Sequence, residues 1–268
     1  MPEDFPAEPG GLARLYAWLD RFALPLTFLV VVAAWELSCR QFGIPSFLLP
    51  APSEIVLQAR DIPISTWLEH IWATARVALM GYALAIVVSI PLAMALTNSR
   101  FLTRTLYPML VVVQSTPVVA IAPIIVVVLG ASDLPRIVIT FLITFFPIVV
   151  SSVTGLMAAP DELIELSRSL KGGRHREMLQ IRLPFAVPYI FSALKIATTL
   201  SIIGAVVAEF VAAERGLGYL ILYSTSFFKV PHAFAALIAL VTLSLVFFRL
   251  CAYAQKRLLP WSLPLAER

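Results

Sequence analysis

The residues in this chain that could carry catalysis or bind a metal are few and scattered. Its two cysteines, Cys39 and Cys251, do not form a Cys-x-x-Cys pair, and its three histidines lie far apart in the sequence. The sequence has no Gly-x-x-x-x-Gly-Lys-Ser/Thr loop, whose backbone amides would bind nucleotide phosphates. Its apolar segments carry no paired acids and no Ser/His pair at a common depth. We therefore expect neither enzyme activity nor a catalytic, cofactor or metal site in this chain.

The composition predicts an all-α integral membrane protein. Of the 268 residues, 60% are hydrophobic and 13% are charged, whereas a soluble domain is about 25% charged. A chain this apolar has too little polar surface for a water-soluble globule, and roughly 20 apolar residues span a bilayer as a helix. The apolar runs predict about six transmembrane helices, at Phe22–Cys39, Val77–Thr97, Leu106–Leu129, Ile137–Ala158, Tyr189–Val211 and Ala233–Ala254.

The basic residues predict how these helices are oriented. Of the 20 Lys and Arg residues, 13 fall in segments that are internal when the N-terminus is inside, six fall in outer segments, and Lys195 lies in the fifth span. Because basic residues accumulate in cytoplasmic loops, both termini are expected in the cytoplasm. Residues 1–21 and 255–268 would then be cytoplasmic segments on either side of a membrane domain, residues 22–254. Cytoplasmic loops account for the basic charge, so no nucleic-acid partner is expected.

The loop between spans four and five, residues 159–184, carries the densest charge of any loop. Asp161 follows a proline and stands where a helix N-cap is expected. Acids occupy the first turn of this segment and bases its end, which suits a helix dipole. Apolar residues recur at helical spacing and predict one stripe of a short amphipathic helix: Leu163, Leu166 and Leu170.

The second half of this loop predicts a turn and another short helix. Gly172 and Gly173 are expected to supply the positive φ that ends the first helix. Residues 174–182 then form the second helix, and Pro184 closes it before span five. Such a helix–turn–helix on the cytoplasmic face could lie on acidic lipid headgroups. It could instead bind a partner protein.

Polar residues within the predicted spans are candidates for lining a path across the membrane. Gln114, Ser115 and Thr116 form a cluster in span three. Such side chains either line a path or bond to their own backbone or a neighbouring helix. Glu209 lies near the outer end of span five, where it could act in transport, reach interfacial water or pair with Arg215.

Prolines and one outer segment predict further local features. Four prolines lie inside spans, where we expect kinks rather than breaks that line a path: Pro91, Pro117, Pro123 and Pro147. In the outer segment before span two, Ser53 is a candidate N-cap. Trp67 and Trp72 predict a short interfacial helix that leads into span two.

The inner loop resembles a motif of the permease subunits of bacterial ABC importers. That motif reads Glu-Ala-Ala, three residues, Gly, nine residues, Ile-x-Leu-Pro. This chain has Glu165-Leu166-Ser167, then Lys171 at the glycine position, then Ile181-Arg182-Leu183-Pro184. Ser167 replaces the second alanine, and Lys171 replaces the glycine, with Gly172 one residue later. The turn is therefore expected to be shifted or slightly reshaped relative to the family.

Other segments resemble the nitrate/sulfonate/taurine branch of these permeases. They are Leu48–Ser53, Pro117–Pro123, Phe145–Ile148, Val207–Glu209 and Gly216–Ile221. That branch also includes importers of thiamine-pyrimidine precursors and of riboflavin. The stretch 208–218 is somewhat more similar to those importers.

The resemblance implies a type I ABC importer permease in the bacterial inner membrane. Two permease chains, expected to be a homodimer, would form the pathway in the lipid bilayer. Two ATPase chains would supply the ATP and Mg²⁺ chemistry, and an extracytoplasmic binding protein would deliver the solute. The solute would be a sulfonate, taurine, nitrate or a small heterocycle such as a pyrimidine precursor or riboflavin.

The resemblance further implies that the 159–184 loop is a coupling loop for the ATPase. The residues that it assigns to coupling are Leu163, Glu165, Leu166, Ser167, Leu170, Lys171, Gly172, Gly173, Ile181, Leu183 and Pro184. The alternative is an ion-coupled secondary transporter or channel without an ATPase. That alternative predicts several charged residues at mid-membrane. Only Lys195 and Glu209 come close to that depth, and neither is clearly central.

Overall fold

The computed structural model describes residues 11–130 and 132–263, with side chains from Phe22 onward except those of Leu24 and Arg100. Within that part of the chain, every regular element is helical. The elements are α1 (Gly11–Gln41), α2 (Pro52–Ala59), α3 (Ile64–Asn98), α4 (Arg100–Gln114), α5 (Val118–Leu129), α6 (Asp133–Met157), α7 (Asp161–Ser169), α8 (Arg174–Glu177), a π-helical turn (Met178–Arg182), α9 (Leu183–Ala212), α10 (Leu217–Ser226), α11 (Val230–Leu258) and a final 3₁₀ turn (Pro260–Ser262).

Four helical segments of the described chain are long and apolar enough to cross a membrane. They are Ile64–Asn98, Asp133–Met157, Arg174–Ala212 and Val230–Leu258. They contain the predicted spans two, five and six, and all of span four except its last residue, Ala158. The predicted first span, 22–39, is helical within α1, and its crossing of the membrane stays a prediction. A bent pair, Phe101–Gln114 with Val118–Leu129, would make a fifth crossing.

The predicted third span is not one continuous helix, which corrects the expectation of a kink at Pro117. The chain bends by 94° between α4 and α5. Pro117 lacks an N–H group and disfavours the helical conformation of the residue before it, so α4 ends at Gln114 and α5 starts at Val118. The other three prolines lie inside continuous helices, as expected.

Three long helices, α3, α6 and α9, pack together as the centre of the fold. Small residues allow the close approach. A Cβ on Gly204 of α9 would lie 2.9 Å from the Thr140 Cα of α6, and one on Gly155 would lie 2.7 Å from the Tyr189 Cβ. Hydrogen bonds also cross between helices, since the Tyr82 hydroxyl donates to the Leu194 carbonyl over 3.1 Å. This centre fixes the ends of α6 and α9, which carry the inner loop.

The outer segment differs from its prediction in two details. The N-cap of α2 is Ala51 rather than Ser53. The backbone N–H of Ser53 instead donates to the Glu36 carboxylate of α1 over 3.0 Å, so a side chain of another helix supplies the cap. Trp67 and Trp72 lie in the first turns of α3 itself, which starts at Ile64, and not in a separate interfacial helix.

Candidate functional site

The inner loop folds as the predicted helix–turn–helix. Helix α7 begins at Asp161 after Pro160, which is the N-cap, so Asp161 is the first helical residue rather than the cap. Asp161 and Glu162 occupy its first turn and Arg168 its last, the order that a helix dipole favours. After the turn, α8 passes through the π-helical turn directly into α9. The loop is therefore continuous with a long membrane helix.

The turn after α7 occurs at the residue where the related motif has glycine. Lys171 has φ 58°, and neither Gly172 nor Gly173 has a positive φ. The N–H of Gly172 donates to the Ser167 carbonyl over 2.7 Å, and that of Lys171 donates to Arg168 over 2.9 Å. These two bonds define a Schellman cap with Lys171 in the left-handed position. The expectation that Gly172 and Gly173 supply the positive φ is therefore wrong, and a shift or reshaping of the turn relative to the family stays a prediction.

Gly172 is nonetheless needed for this turn, for a steric reason. A Cβ on Gly172 would collide with the Ser167 hydroxyl and lie 2.8 Å from the Ser167 carbonyl oxygen. A Cβ on Gly173 would have no heavy atom within 4 Å. The backbone approaches closely at Gly172, and no such approach occurs at Gly173.

The predicted leucine stripe of α7 lies on the surface of the chain. Leu163, Leu166 and Leu170 are 39%, 55% and 75% exposed, whereas Ile164 is 4% exposed. Ile164 thus attaches α7 to the rest of the protein and leaves the leucines uncovered. Together with Ile181 in the second half of the loop and Phe185 at the start of α9, the leucines line a cleft of ≈ 280 Å³. An apolar cleft of this kind suits a protein partner.

A buried ion-pair network holds the two halves of the loop together, and the sequence did not predict it. Glu177 is 7% exposed. The Arg182 guanidinium lies 2.9 Å from its carboxylate, and that of Arg168 lies 3.3 Å away. Arg182 also donates to the Leu156 carbonyl at the end of α6 over 3.2 Å. The network therefore joins α7, α8, the C-terminal end of α6 and the π-helical turn that leads into α9.

The remaining loop residues surround this network. Glu165 is exposed and lines a second, polar pocket of ≈ 660 Å³ between the loop and the inner end of α3, where Thr97 and Asn98 lie. Leu183 and Pro184 are half-buried at the start of α9. The structure thus brings the predicted coupling residues into one compact loop. Their contact with an ATPase stays a prediction.

The predicted path residues occupy two different environments. Gln114, Ser115 and Thr116 lie at the exposed break between α4 and α5, where the Ser115 hydroxyl bonds to its own helix at the Val111 carbonyl. Glu209 is 1% exposed in α9. Its suggested pairing with Arg215 is wrong, because Arg215 pairs with Glu69 over 2.9 Å. A role for these four residues in the path stays a prediction.

Comparisons with known sequences agree with the resemblance found in the inner loop. A family model described as "Binding-protein-dependent transport system inner membrane component" matches residues 85–260. The formylaminopyrimidine transport permease protein ThiX of Halalkalibacterium halodurans is 34% identical, covering 88% of this chain and 94% of ThiX. The riboflavin transport system permease protein RibX of Chloroflexus aurantiacus is 33% identical over 89% of each chain. A putative aliphatic sulfonates transport permease protein, SsuC of Bacillus subtilis, is 24% identical over 92% of this chain and 89% of its own length.

A comparison with solved structures agrees with the predicted fold. A chain of the MetNI methionine ABC transporter, in an inward-facing conformation, matches with a TM-score of 0.60 and 20% sequence identity. The match covers 73% of this chain and 95% of the MetNI chain. It confirms the all-α importer permease fold.

Proposed function

This chain belongs to the family of binding-protein-dependent transport system inner membrane components, and from this premise we propose that its 159–184 loop couples solute import to a separate ATPase. The chain is a multi-pass permease subunit of an ABC importer. The alternative of a secondary transporter without an ATPase is not favoured, because the relatives are permeases of this family.

The observation that carries the proposal is an apolar surface on a braced loop. The leucines of α7 stay exposed while Ile164 and Glu177 are buried. A loop that only rested on lipid headgroups would not need a buried ion pair, which costs desolvation energy unless it is well paired. Because the ion pairs hold its two halves together, the loop would move as one rigid unit when a partner displaced the leucines. The Arg182 bonds to Glu177 and to the Leu156 carbonyl would pass that movement to α6 and α9.

The proposed complex contains two copies of this chain, two ATPase chains and an extracytoplasmic binding protein. The ATPase chains hold ATP and Mg²⁺ and bind the cleft between Leu166 and Phe185. Both termini of the permease are cytoplasmic, as the distribution of Lys and Arg predicts. The binding protein then docks on the opposite face, at the end of α9 that carries Ala212.

We assign the solute to small nitrogen heterocycles rather than to sulfonates or nitrate. Support comes from the relatives. The formylaminopyrimidine and riboflavin permeases are 34% and 33% identical to this chain, whereas the sulfonate permease is 24% identical. Membrane vesicles that contain the complex should therefore take up labelled riboflavin or formylaminopyrimidine in preference to taurine. Preferential uptake of taurine or nitrate would contradict this assignment.

The test of coupling is co-purification of the complex from its native membrane. The test variant combines Leu166→Ser and Leu170→Ser; the native leucine side chains are 55% and 75% exposed. The matched control combines Val56→Ser and Leu57→Ser on α2, which are 59% and 66% exposed. We expect a subunit with a phosphate-binding loop to accompany the native chain and the control. Its recovery should fall by roughly tenfold with the test variant, because the contact would lose the burial of two apolar side chains.

Three results would overturn the proposal. In the first, the ATPase subunit is recovered equally well with the α7 variant. In the second, no such subunit accompanies the native chain. In the third, the α7 variant and the α2 control lose the subunit to the same extent, so its retention does not depend on the loop.

A further inference from the structure

A buried cluster of polar groups lies at the end of α9 opposite the coupling loop. Glu209 is 1% exposed there. Its carboxylate accepts a hydrogen bond from the Gly218 N–H over 2.6 Å and another from the Thr74 hydroxyl over 2.8 Å. The carboxylate is the acceptor in both hydrogen bonds. Glu209 therefore caps the N-terminus of α10, where backbone N–H groups have no partner within the helix.

Residues of α3 complete this arrangement. The Thr74 hydroxyl, which donates to Glu209, also accepts from the Leu217 N–H over 2.8 Å. One turn earlier, the His70 Nδ1 accepts from the Gly216 N–H over 3.0 Å. The His70 ring stacks on Tyr219 of α10 with centroids 6.0 Å apart. We name this set the α10 clasp: His70, Thr74, Glu209, Gly216 and Gly218.

The two glycines of the clasp leave room for the Glu209 side chain. Gly216 has φ 130°, a conformation open mainly to glycine. A Cβ on Gly216 would overlap the Glu209 carboxyl group, and one on Gly218 would lie 2.8 Å from Glu209 Oε2. The carboxylate thus occupies the space that side chains at these positions would need. Such mutual fit is the mark of a built site rather than of an incidental contact.

The position of the clasp suggests its use. Helix α9 has the coupling loop at its start and Glu209 near its end, so one helix connects the two sites. Helix α10 has 10 residues, too short to cross a bilayer. It is tied to α9 by Glu209 and to α3 by Thr74 and His70. The two residues that follow α10, Phe227 and Phe228, are 60% and 75% exposed.

We propose that Glu209 is a positioning residue for the far side of the pathway. Through Thr74 and the α10 amides, it holds α10 on α3 and α9, so that this side stays closed until the coupling loop moves α9. This inference rests on the proposed coupling function. It assigns to Glu209 a role in closure rather than a place in the solute path.

The experiment uses the purified complex of permease and ATPase, with no binding protein and no solute. Thr74→Val keeps the shape of the side chain and removes the hydrogen bonds of the hydroxyl to Glu209, Leu217 and the His70 carbonyl, whereas Thr74→Ser keeps the hydroxyl. Glu209→Gln tests the carboxylate directly. Glu69→Gln is the control, because Glu69 forms an exposed pair with Arg215 nearby. Two quantities are measured: the rate of ATP hydrolysis, and the distance between spin labels on Leu68→Cys and Ser226→Cys with both native cysteines replaced by alanine.

We expect loss of the clasp to loosen α10 and to let the helices move without cargo. Thr74→Val and Glu209→Gln should broaden the distance distribution and raise cargo-free hydrolysis by roughly tenfold, the effect of losing one buried hydrogen bond on a two-state equilibrium. Thr74→Ser and Glu69→Gln should match the native complex. A merely structural defect would lower hydrolysis instead, in proportion to the complex that is lost.

Three results would overturn the inference. They are an unchanged distance distribution in Thr74→Val, hydrolysis that falls or stays constant in it, and a Thr74→Ser variant as defective as Thr74→Val. If Glu209→Gln did not assemble, the Thr74 pair would still decide. If no ATPase subunit accompanied the native chain, the coupling proposal would fail, and the spin-label distances in the permease alone would still test whether the clasp positions α10.

Discussion

At the scale of single residues, the coupling loop depends on which backbone positions tolerate a side chain. Lys171, at the position where the related motif has glycine, takes a left-handed conformation, at a cost of about 1 kcal/mol or more. The chain accepts this cost because the Schellman bonds of Lys171 and Gly172 satisfy the end of α7. The turn therefore forms with lysine at the position where the related motif has glycine.

The neighbouring glycines provide a matched test of this turn. Gly172→Ala should destabilise the loop by about 1–3 kcal/mol, because its Cβ would press on the Ser167 backbone. Gly173→Ala should change stability by less than about 0.5 kcal/mol, because its Cβ meets nothing within 4 Å. Thermal unfolding in detergent and ATP-driven uptake would show the difference. Equal effects of the two substitutions would contradict the close approach.

The ion pairs of the loop also differ in what they contribute. Arg182→Ala should cost about 2–4 kcal/mol, because it leaves the buried Glu177 carboxylate and the Leu156 carbonyl without a main donor. Arg168→Ala should cost less than about 1 kcal/mol, because that side chain is 62% exposed. Unfolding midpoints of the two purified variants would rank them. The reverse order would show that the loop is braced by Arg168.

At the scale of elements, hydrophobic length and spacing predicted most of the helices but not how they join. The apolar runs located the long helices, and the leucine spacing located α7. The Glu177–Arg182 pair was missed because a regular helix does not bring residues five apart together, whereas the π-helical turn Met178–Arg182 does. The Glu209 cap was missed because its partners, Thr74 and Gly218, lie on other elements.

The break between α4 and α5 was missed because proline permits both a kink and a break. Pro123 lies within continuous α5, whereas Pro117 ends one helix and starts another. What separates them is the sequence before each proline. Ser115 and Thr116 precede Pro117, and small hydroxyl side chains compete with the helix for backbone bonds.

Replacing each of these prolines by alanine separates the two roles. Pro117→Ala restores a backbone donor and should let α4 and α5 join into a straighter helix. Spin labels on Met109→Cys and Val127→Cys, both in exposed positions, should then move toward the spacing of about 27 Å expected for a continuous helix. Pro123→Ala should leave the distance unchanged. If both variants kept the native distance, tertiary packing rather than Pro117 would set the 94° bend.

At the scale of the whole molecule, the same break predicts where the proposed second copy would bind. Helices α4 and α5 have 15 and 12 residues, or about 22 and 18 Å, so neither alone crosses a hydrocarbon core of about 30 Å. Residues 114–117 are exposed on the single chain. Irregular backbone at membrane depth is tolerated only where protein covers it or where it lines a water-filled cavity. In the proposed homodimer, a second permease chain packed against α4 and α5 would cover this backbone.

Cross-linking between copies tests this arrangement. Val112 lies one turn before the break and is 70% exposed, and Phe28 on α1 is 71% exposed. In a chain whose native cysteines are replaced by alanine, Val112→Cys should link two copies through a short bifunctional maleimide, whereas Phe28→Cys should not. Because the two positions are equally exposed in the single chain, cross-linking at Val112 alone would identify its surface as the interface between copies and that of Phe28 as lipid-facing. Stronger linkage at Phe28 would instead place α1 at the interface, and the break at Pro117 would then need another cover.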